Sequence, residues 1–244
     1  SARVLVDAGF EAIATTSGGC AFSLGFCDGE HISRAGMLEV VTRIANSVNV
    51  PVSADVEAGY GPSSEDVALT IRGVIEAGAV GANIEDSDKL NPGHLIPFEL
   101  AVKRIGAGRA AADQAGVPVV INARVDGFHY GNDDTVFDDV IRRANAYLEA
   151  GATCAFIPFI SDSDLIGRVA AAIDGPINIL AGPDTPSVQN LKKLGVRRLT
   201  VGSSFAKAAL KVLQESAREL QTSGTFEFTR GVLSQNDVHR ILTH

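Results

Sequence analysis

The sequence predicts an α/β protein of the TIM-type (β/α)8 barrel class, in which parallel strands alternate with covering helices. Three observations lead there. Short runs rich in β-branched residues recur along the 244 residues, with longer stretches of helical periodicity between them. Most of those helical stretches stop at an Ala-Gly or Leu-Gly pair just ahead of the next run. Polar residues also collect at the ends of the runs, where barrel enzymes gather their chemistry.

The strand-like runs cover residues 11–17, 51–57, 81–86, 118–126, 152–159, 176–182 and 197–203. The stops are Ala8-Gly9, Ala77-Gly78, Ala115-Gly116, Ala150-Gly151 and Leu194-Gly195. Glycine ends a helix there because it alone takes a left-handed backbone without a Cβ penalty. Seven βα units are legible, and the chain opens inside a helix. The expectation is therefore that an eighth strand precedes residue 1, or that another segment closes the barrel. A doubly wound sheet would want a glycine fingerprint after its first strand, and Ser17-Gly18-Gly19 is a poor one. Residues 204–222 read as a helix rich in Ala, Leu and Lys, in which Lys207 and Lys211 form a solvated face, and residues 229–242 read as a second amphipathic helix. This terminal extension could pack on its own barrel or on a neighbour. The whole chain, 1–244, reads as one barrel domain with that extension.

Composition narrows the partners. A net charge of −8 with no basic stripe argues against nucleic acid. Cys20, Cys27 and Cys154 show no CxxC spacing, which fits a reducing, cytoplasmic setting better than a disulfide framework or a zinc site. No apolar run approaches a membrane span, and no signal-peptide layout is present.

The strand ends carry the candidate chemistry. The second run ends in Asp55-Val56-Glu57, and strand alternation would turn Asp55 and Glu57 the same way. The third ends in Glu85-Asp86; the fourth carries Asn122, Arg124 and Asp126; the sixth carries Asn178. Clustered carboxylates need compensating positive charge. Oxygen donors of this kind suit Mg²⁺, with Mn²⁺ as a substitute. Arg124 offers a fork for a substrate carboxylate or phosphonate. Taken singly, each acid could be a helix cap, and Arg124 could pair with Asp126 or Glu85.

Three segments carry a resemblance. Ser53-Ala54-Asp55-Val56-Glu57-Ala58-Gly59-Tyr60-Gly61, Asn83-Ile84-Glu85-Asp86-Ser87 and Ile121-Asn122-Ala123-Arg124-Val125-Asp126 resemble the isocitrate lyase and phosphoenolpyruvate mutase superfamily, in its order and over nearly the whole chain. The resemblance implies Asp55 as direct metal ligand, with Glu57 and Glu85 holding the metal's waters. It implies Ser17 and Gly18 as the cradle of a carboxylate, Arg124 as anion clamp, Asp28 as an acid near the substrate and Asn178 as a substrate-binding amide. It also implies a last helix exchanged between the subunits of a homodimer or homotetramer.

Two departures stand out. The Lys-x-Cys-Gly-His lid of the true lyases is replaced by residues 87–94, ending in His94, without cysteine; Phe159 stands where those lyases have glutamate. Lys89-Leu90-Asn91 imitates a lid motif of the mutase branch, closer to Glu85 than that branch spaces it.

The expected activity is Mg²⁺-dependent cleavage of a C–C or C–P bond in a small 2-oxo or 2-hydroxy carboxylate, through an enolate. Asp28, Lys89 and His94 are the candidate proton donors, with His129 a further loop histidine. The alternatives are a phosphonopyruvate hydrolase or oxaloacetate decarboxylase, a non-catalytic metal and carboxylate binder, and a phosphate-handling barrel using Gly182 and Gly202-Ser203-Ser204.

Overall fold

The computed structural model describes residues 1–243. Strands and helices alternate from the start: α1 (Ala2–Asp7), β1 (Ile13–Ala14), α2 (Ser17–Ser23), α3 (Arg34–Ala45), β2 (Val52–Asp55), α4 (Ser64–Glu76), β3 (Gly81–Glu85) and α5 (Phe98–Gln114). Then follow β4 (Val120–Arg124), α6 (Asp134–Glu149), β5 (Cys154–Ile157), α7 (Ser163–Ala172), β6 (Ile177–Leu180), α8 (Val188–Lys193), β7 (Arg198–Thr200), α9 (Ser204–Thr222) and α10 (Gln235–Thr243).

All seven strands are parallel and lie side by side in chain order. The sheet curls around a shared interior. Arg198 on β7 reaches across it to Ser53 on β2, Nη2 to Oγ 3.4 Å. Outside, Ala206 of α9 lies only 3.4 Å from where a Cβ on Gly19 of α2 would sit. The architecture is that of a TIM-type barrel, with β1 and β7 as the sheet edges among the described residues.

Helices lie on the outside and bury one stripe each. α4 opens with a reciprocal cap between Ser63 and Asp66 and buries Val67, Ile71 and Val74, spaced four and three apart. Each such fully buried side chain contributes about 1.5–3 kcal/mol. α5 approaches closely because Gly108 faces α4; a Cβ there would stand 3.3 Å from Val67 Cγ1. The helix-ending glycines all take positive φ, and at Gly151 (φ 106°) a side chain would also collide with Arg109.

Each strand is shorter than the run that announces it, and two boundaries differ for a reason visible in the caps. The first strand is cut short because Ser17 already belongs to α2, whose Thr16 hydroxyl accepts from Gly19 N at 3.4 Å. The last helix starts at Gln235 and not at 229, because Ser234 and Asp237 cap each other reciprocally. α10 folds back on α1 of its own chain through an Arg240–Asp7 ion pair and a bond from Arg3 to the Leu242 carbonyl. α9 buries none of its residues and leaves Phe205, Leu210, Val212, Leu213 and Leu220 exposed.

Among the described residues no helix is long and apolar enough to cross a membrane. The three cysteines are free, and burial pushes the thiols of Cys20 and Cys154 up to about 11, which keeps them protonated packing groups at neutral pH.

Candidate active site

Asp55, Asn83 and Asn122 are register neighbours on β2, β3 and β4. Their side chains form a ladder across the strands. Asn122 Nδ2 donates to Asn83 Oδ1 at 3.0 Å, and Asn83 Nδ2 donates to Asp55 Oδ1 at 2.9 Å. The second Asp55 oxygen accepts from the Ser17 amide at 2.8 Å, at the start of α2. The carboxylate is thus fixed from both sides while remaining half-buried.

Glu57 arrives by a different route from the one expected. Alternation along the strand does not bring it to the site, because β2 ends at Asp55 and Glu57 takes a left-handed backbone, φ 49°. Tyr60 (φ 59°) and Glu30 (φ 60°) are turned the same way. Such conformations cost non-glycine residues about 1–2 kcal/mol each and persist only where neighbours over-determine them. Here they do. Glu30 Oε1 accepts from the amides of Ala58 and Tyr60 at 3.1 and 3.0 Å. Buried Arg104 of α5 donates to the carbonyls of Gly61 (2.8 Å), Ser63 (3.0 Å) and Ala58. Thr70 and Arg34 hold the carbonyls of Gly59 and Tyr60 at 2.7 and 2.6 Å. Neither Glu30 nor Arg104 stood out in the sequence.

Glu85, at the end of β3, sits between two cations. Lys89 Nζ lies 2.5 Å from Glu85 Oε1 and 3.3 Å from Glu57 Oε2, and Arg124 Nη1 lies 3.0 Å from Glu85 Oε2. Arg124 also bonds Asp126 Oδ1 at 2.6 Å, and its guanidinium stands over the rings of Phe156 and Phe159, 5.8 and 5.7 Å from their centroids. Burial pushes the Glu85 carboxyl up to about 7 despite Arg124 and Lys89, and burial likewise raises Glu57. Burial is the largest single influence on Lys89 and on Arg124 and opposes their charge, yet the carboxylates together outweigh it, Glu85 and Glu57 around Lys89 and Glu85, Asp126 and Asp55 around Arg124, so each is held above its usual range. Asp86 turns away from this cluster, accepting from Tyr147 Oη at 2.7 Å and from the Asp126 amide at 2.9 Å, with Arg143 at 3.4 Å. It braces the strand end and does not join the metal-type cluster.

The donor set fits an oxygen-seeking divalent cation. Asp55, Glu57, Glu85 and Asp126 outnumber the positive groups around them, Lys89, Arg124 and, across the interior, Arg198. Carboxylates raised by burial are short of positive charge. Among the described residues no three acidic, imidazole or thiol groups close around one point. An ion here would complete its shell with water and ligand oxygens, as magnesium does.

A family model described as phosphoenolpyruvate phosphomutase matches residues 1–221. This chain belongs to the phosphoenolpyruvate mutase and isocitrate lyase superfamily. It is 35% identical to the 2-methylisocitrate lyase of Escherichia coli over 178 residues, 70% of this chain and 58% of that one. To an oxaloacetate decarboxylase of Chromohalobacter salexigens it is 28% identical over 246 residues, 96% of this chain and 82% of that one. A crystal structure of a Burkholderia cenocepacia J2315 protein superposes with a TM-score of 0.91 at 38% identity, covering 100% of this chain and 87% of that one.

Within this member of the superfamily the other candidates fall into place unevenly. Ser17 and Gly18 are buried at the start of α2 beside Asp55. Asp28 lies against Gly18, its Oδ2 3.1 Å from where a Cβ would be, so a larger residue at 18 would displace it. Asn178 is fully buried; its Nδ2 faces Thr200 Oγ1 at 3.4 Å and its Oδ1 has no partner among the described residues. His94 and His129 are exposed, and His129 packs on Phe159 with ring centroids 4.6 Å apart. Gly182, Gly202, Ser203 and Ser204 line a cleft of about 400 Å³ with Phe159. Arg198, crossing the interior to Ser53, is a further site-side cation that sequence reasoning missed.

Proposed function

We propose that the protein is a Mg²⁺-dependent lyase-type enzyme that cleaves a C–C bond, or a C–P bond, in a small 2-oxo or 2-hydroxy carboxylate. One observation carries the reading: Asp55, Glu57 and Glu85 stand at adjacent strand ends with Arg124 bonded to Glu85. Relatives named as a lyase and a decarboxylase of small carboxylates support it. Bound at Asp55, with Glu57 and Glu85 reached through water, Mg²⁺ (or Mn²⁺) would supply Lewis acidity to the substrate carboxylate and its neighbouring oxygen.

The chain's own groups would do the rest. The Arg124 guanidinium, the Ser17 hydroxyl and the Gly18 amide hold the substrate's anionic end. In a 2-oxo acid, breaking the bond between C3 and its substituent leaves the electron pair on an enolate, and a proton must then reach that carbon. Asp28, lying against Gly18, is the donor best placed for it. Lys89, locked between two carboxylates, acts as fixed positive charge, and His94 is exposed. The uncovered apolar face of α9 supports its packing on a second copy in a homodimer or homotetramer.

The test is pyruvate release from a panel of 2-oxo acids, methylisocitrate-like hydroxyacids and phosphonopyruvate with Mg²⁺. Turnover that disappears in Asp55→Ala and on chelation is expected. Tight Mg²⁺ and oxalate binding with no turnover of any member would make the protein a binder and overturn the catalytic reading.

A further inference from the structure

Asp126 lies two residues beyond the end of β4 and is only 1% exposed. A carboxylate is unfavourable in such a place unless its oxygens are engaged. Both are. Oδ1 accepts from Arg124 Nε at 2.6 Å, and Oδ2 accepts from the Ser87 hydroxyl. The Asp126 amide donates to Asp86 Oδ1 at 2.9 Å, and Asp86 is itself held by Tyr147 and Arg143 of α6. The carboxylate thus has one orientation, fixed by the segment after β3 on one side and through Asp86 by a helix on the other.

The arginine it meets is held on several sides. Asp126 takes Nε, Glu85 lies 3.0 Å from Nη1, and the guanidinium stands over the rings of Phe156 and Phe159. Nη2 has no partner among the described residues. A long side chain left free would sample many rotamers, and freezing it when a ligand arrives lowers affinity.

We infer that Asp126 is a positioning residue: its bond to Nε turns the Arg124 guanidinium so that Nη2 is the nitrogen left free for a ligand carboxylate. The inference rests on the reading of Arg124 as the clamp for the substrate's anionic end. Asp126 touches no ligand in this arrangement, because both of its oxygens are occupied. Ser87, on the segment that also carries Lys89, keeps the carboxylate from rotating away.

Holding Arg124 in place and merely adding negative charge beside it are different roles, and two variants separate them in opposite directions. Asp126→Asn removes the charge but keeps an acceptor for Nε, since its NH2 can donate to Ser87 Oγ. Asp126→Glu keeps the charge and displaces the oxygens by a methylene. The experiment is calorimetric binding of oxalate, at one fixed Mg²⁺ concentration, to the full chain, to both variants and to Arg124→Ala. Asp126→Asn is expected to bind within about threefold of the parent, and Asp126→Glu about tenfold more weakly. A purely structural role would lower the melting temperature of the variants and leave the affinity of the folded protein alone. Parent-like binding by Asp126→Glu, or equal weakening in the two variants, overturns the positioning role alone. Where Asp126→Glu folds poorly, Ser87→Ala decides, because it frees Oδ2 and leaves Asp126 intact. It is expected to bind oxalate about fivefold more weakly, and parent-like binding overturns the role. A parent that does not bind oxalate, or an Arg124→Ala form that binds it unchanged, brings down the underlying reading as well.

Discussion

The ammonium of Lys89 sits 2.5 Å from Glu85 Oε1 and, through the same nitrogen, bridges to Glu57. A side chain from the loop after β3 therefore supplies positive charge among the carboxylates that would face a metal. The two cations compete. Lys89→Met is expected to tighten Mg²⁺ binding about tenfold, since removing a unit charge within a few ångströms relieves repulsion of several kT. Competition of Mg²⁺ against Mn²⁺, followed by the free-Mn²⁺ resonance, measures it; weaker binding in the variant would show that Lys89 assists the ion.

Arg104 holds three carbonyls of the loop that presents Glu57. Truncating it leaves those acceptors buried and unpaired, at about 1–3 kcal/mol for each one that water cannot reach. Arg104→Ala is expected to lower the unfolding free energy by about 3 kcal/mol in urea titrations. Arg104→Lys should recover less than half of that, because an ammonium cannot fork to three acceptors in one plane. Equal stability of the lysine variant and the parent would refute the fork.

Burial pushes Asp86 up to about 6, against the pull of its hydrogen bonds with the Asp126 amide and Tyr147 and of Arg143. The folded state thus binds a proton that the unfolded chain has already released, and stability falls as pH rises from about 4 through about 6. In the metal-free protein this group should remove about 3 kcal/mol over that range. Asp86→Asn should flatten that part of the profile. A parent whose unfolding free energy rises between those pH values would contradict the assignment.

Phe159→Gly removes both the ring and the left-handed strain. The lost packing and the relieved strain are each about 1–2 kcal/mol, so the melting temperature should stay within about 4 °C of the parent. A much larger drop would mean that the ring serves the core.

The seven strands were legible because each is announced by a β-branched run, and five of them a second time by the glycine that stops the preceding helix. Asp55, Glu85 and Arg124 were legible as a group because strand ends fall at a predictable place in a βα unit. Glu57 was reached by a wrong argument: alternation cannot extend past the end of β2, and only its positive φ brings it inward. Arg104 could not be read at all. It contacts a loop more than forty positions earlier in the chain, and a mid-helix arginine ordinarily signals a solvated face. Arg198 escaped for the same reason, meeting Ser53 only because the sheet curls. The late start of α10 was visible in principle, since Ser234 three residues before Asp237 is a capping pair.

The amide ladder from Asn122 through Asn83 to Asp55 freezes the last carboxylate before any guest arrives. Its ordering is completed during folding, so a binding event need not spend free energy on that rotamer. Asn122, two strands removed and shut off from solvent, acts as a hinge pin for a contact it never makes. Loosening it would weaken capture without deleting a single touching atom.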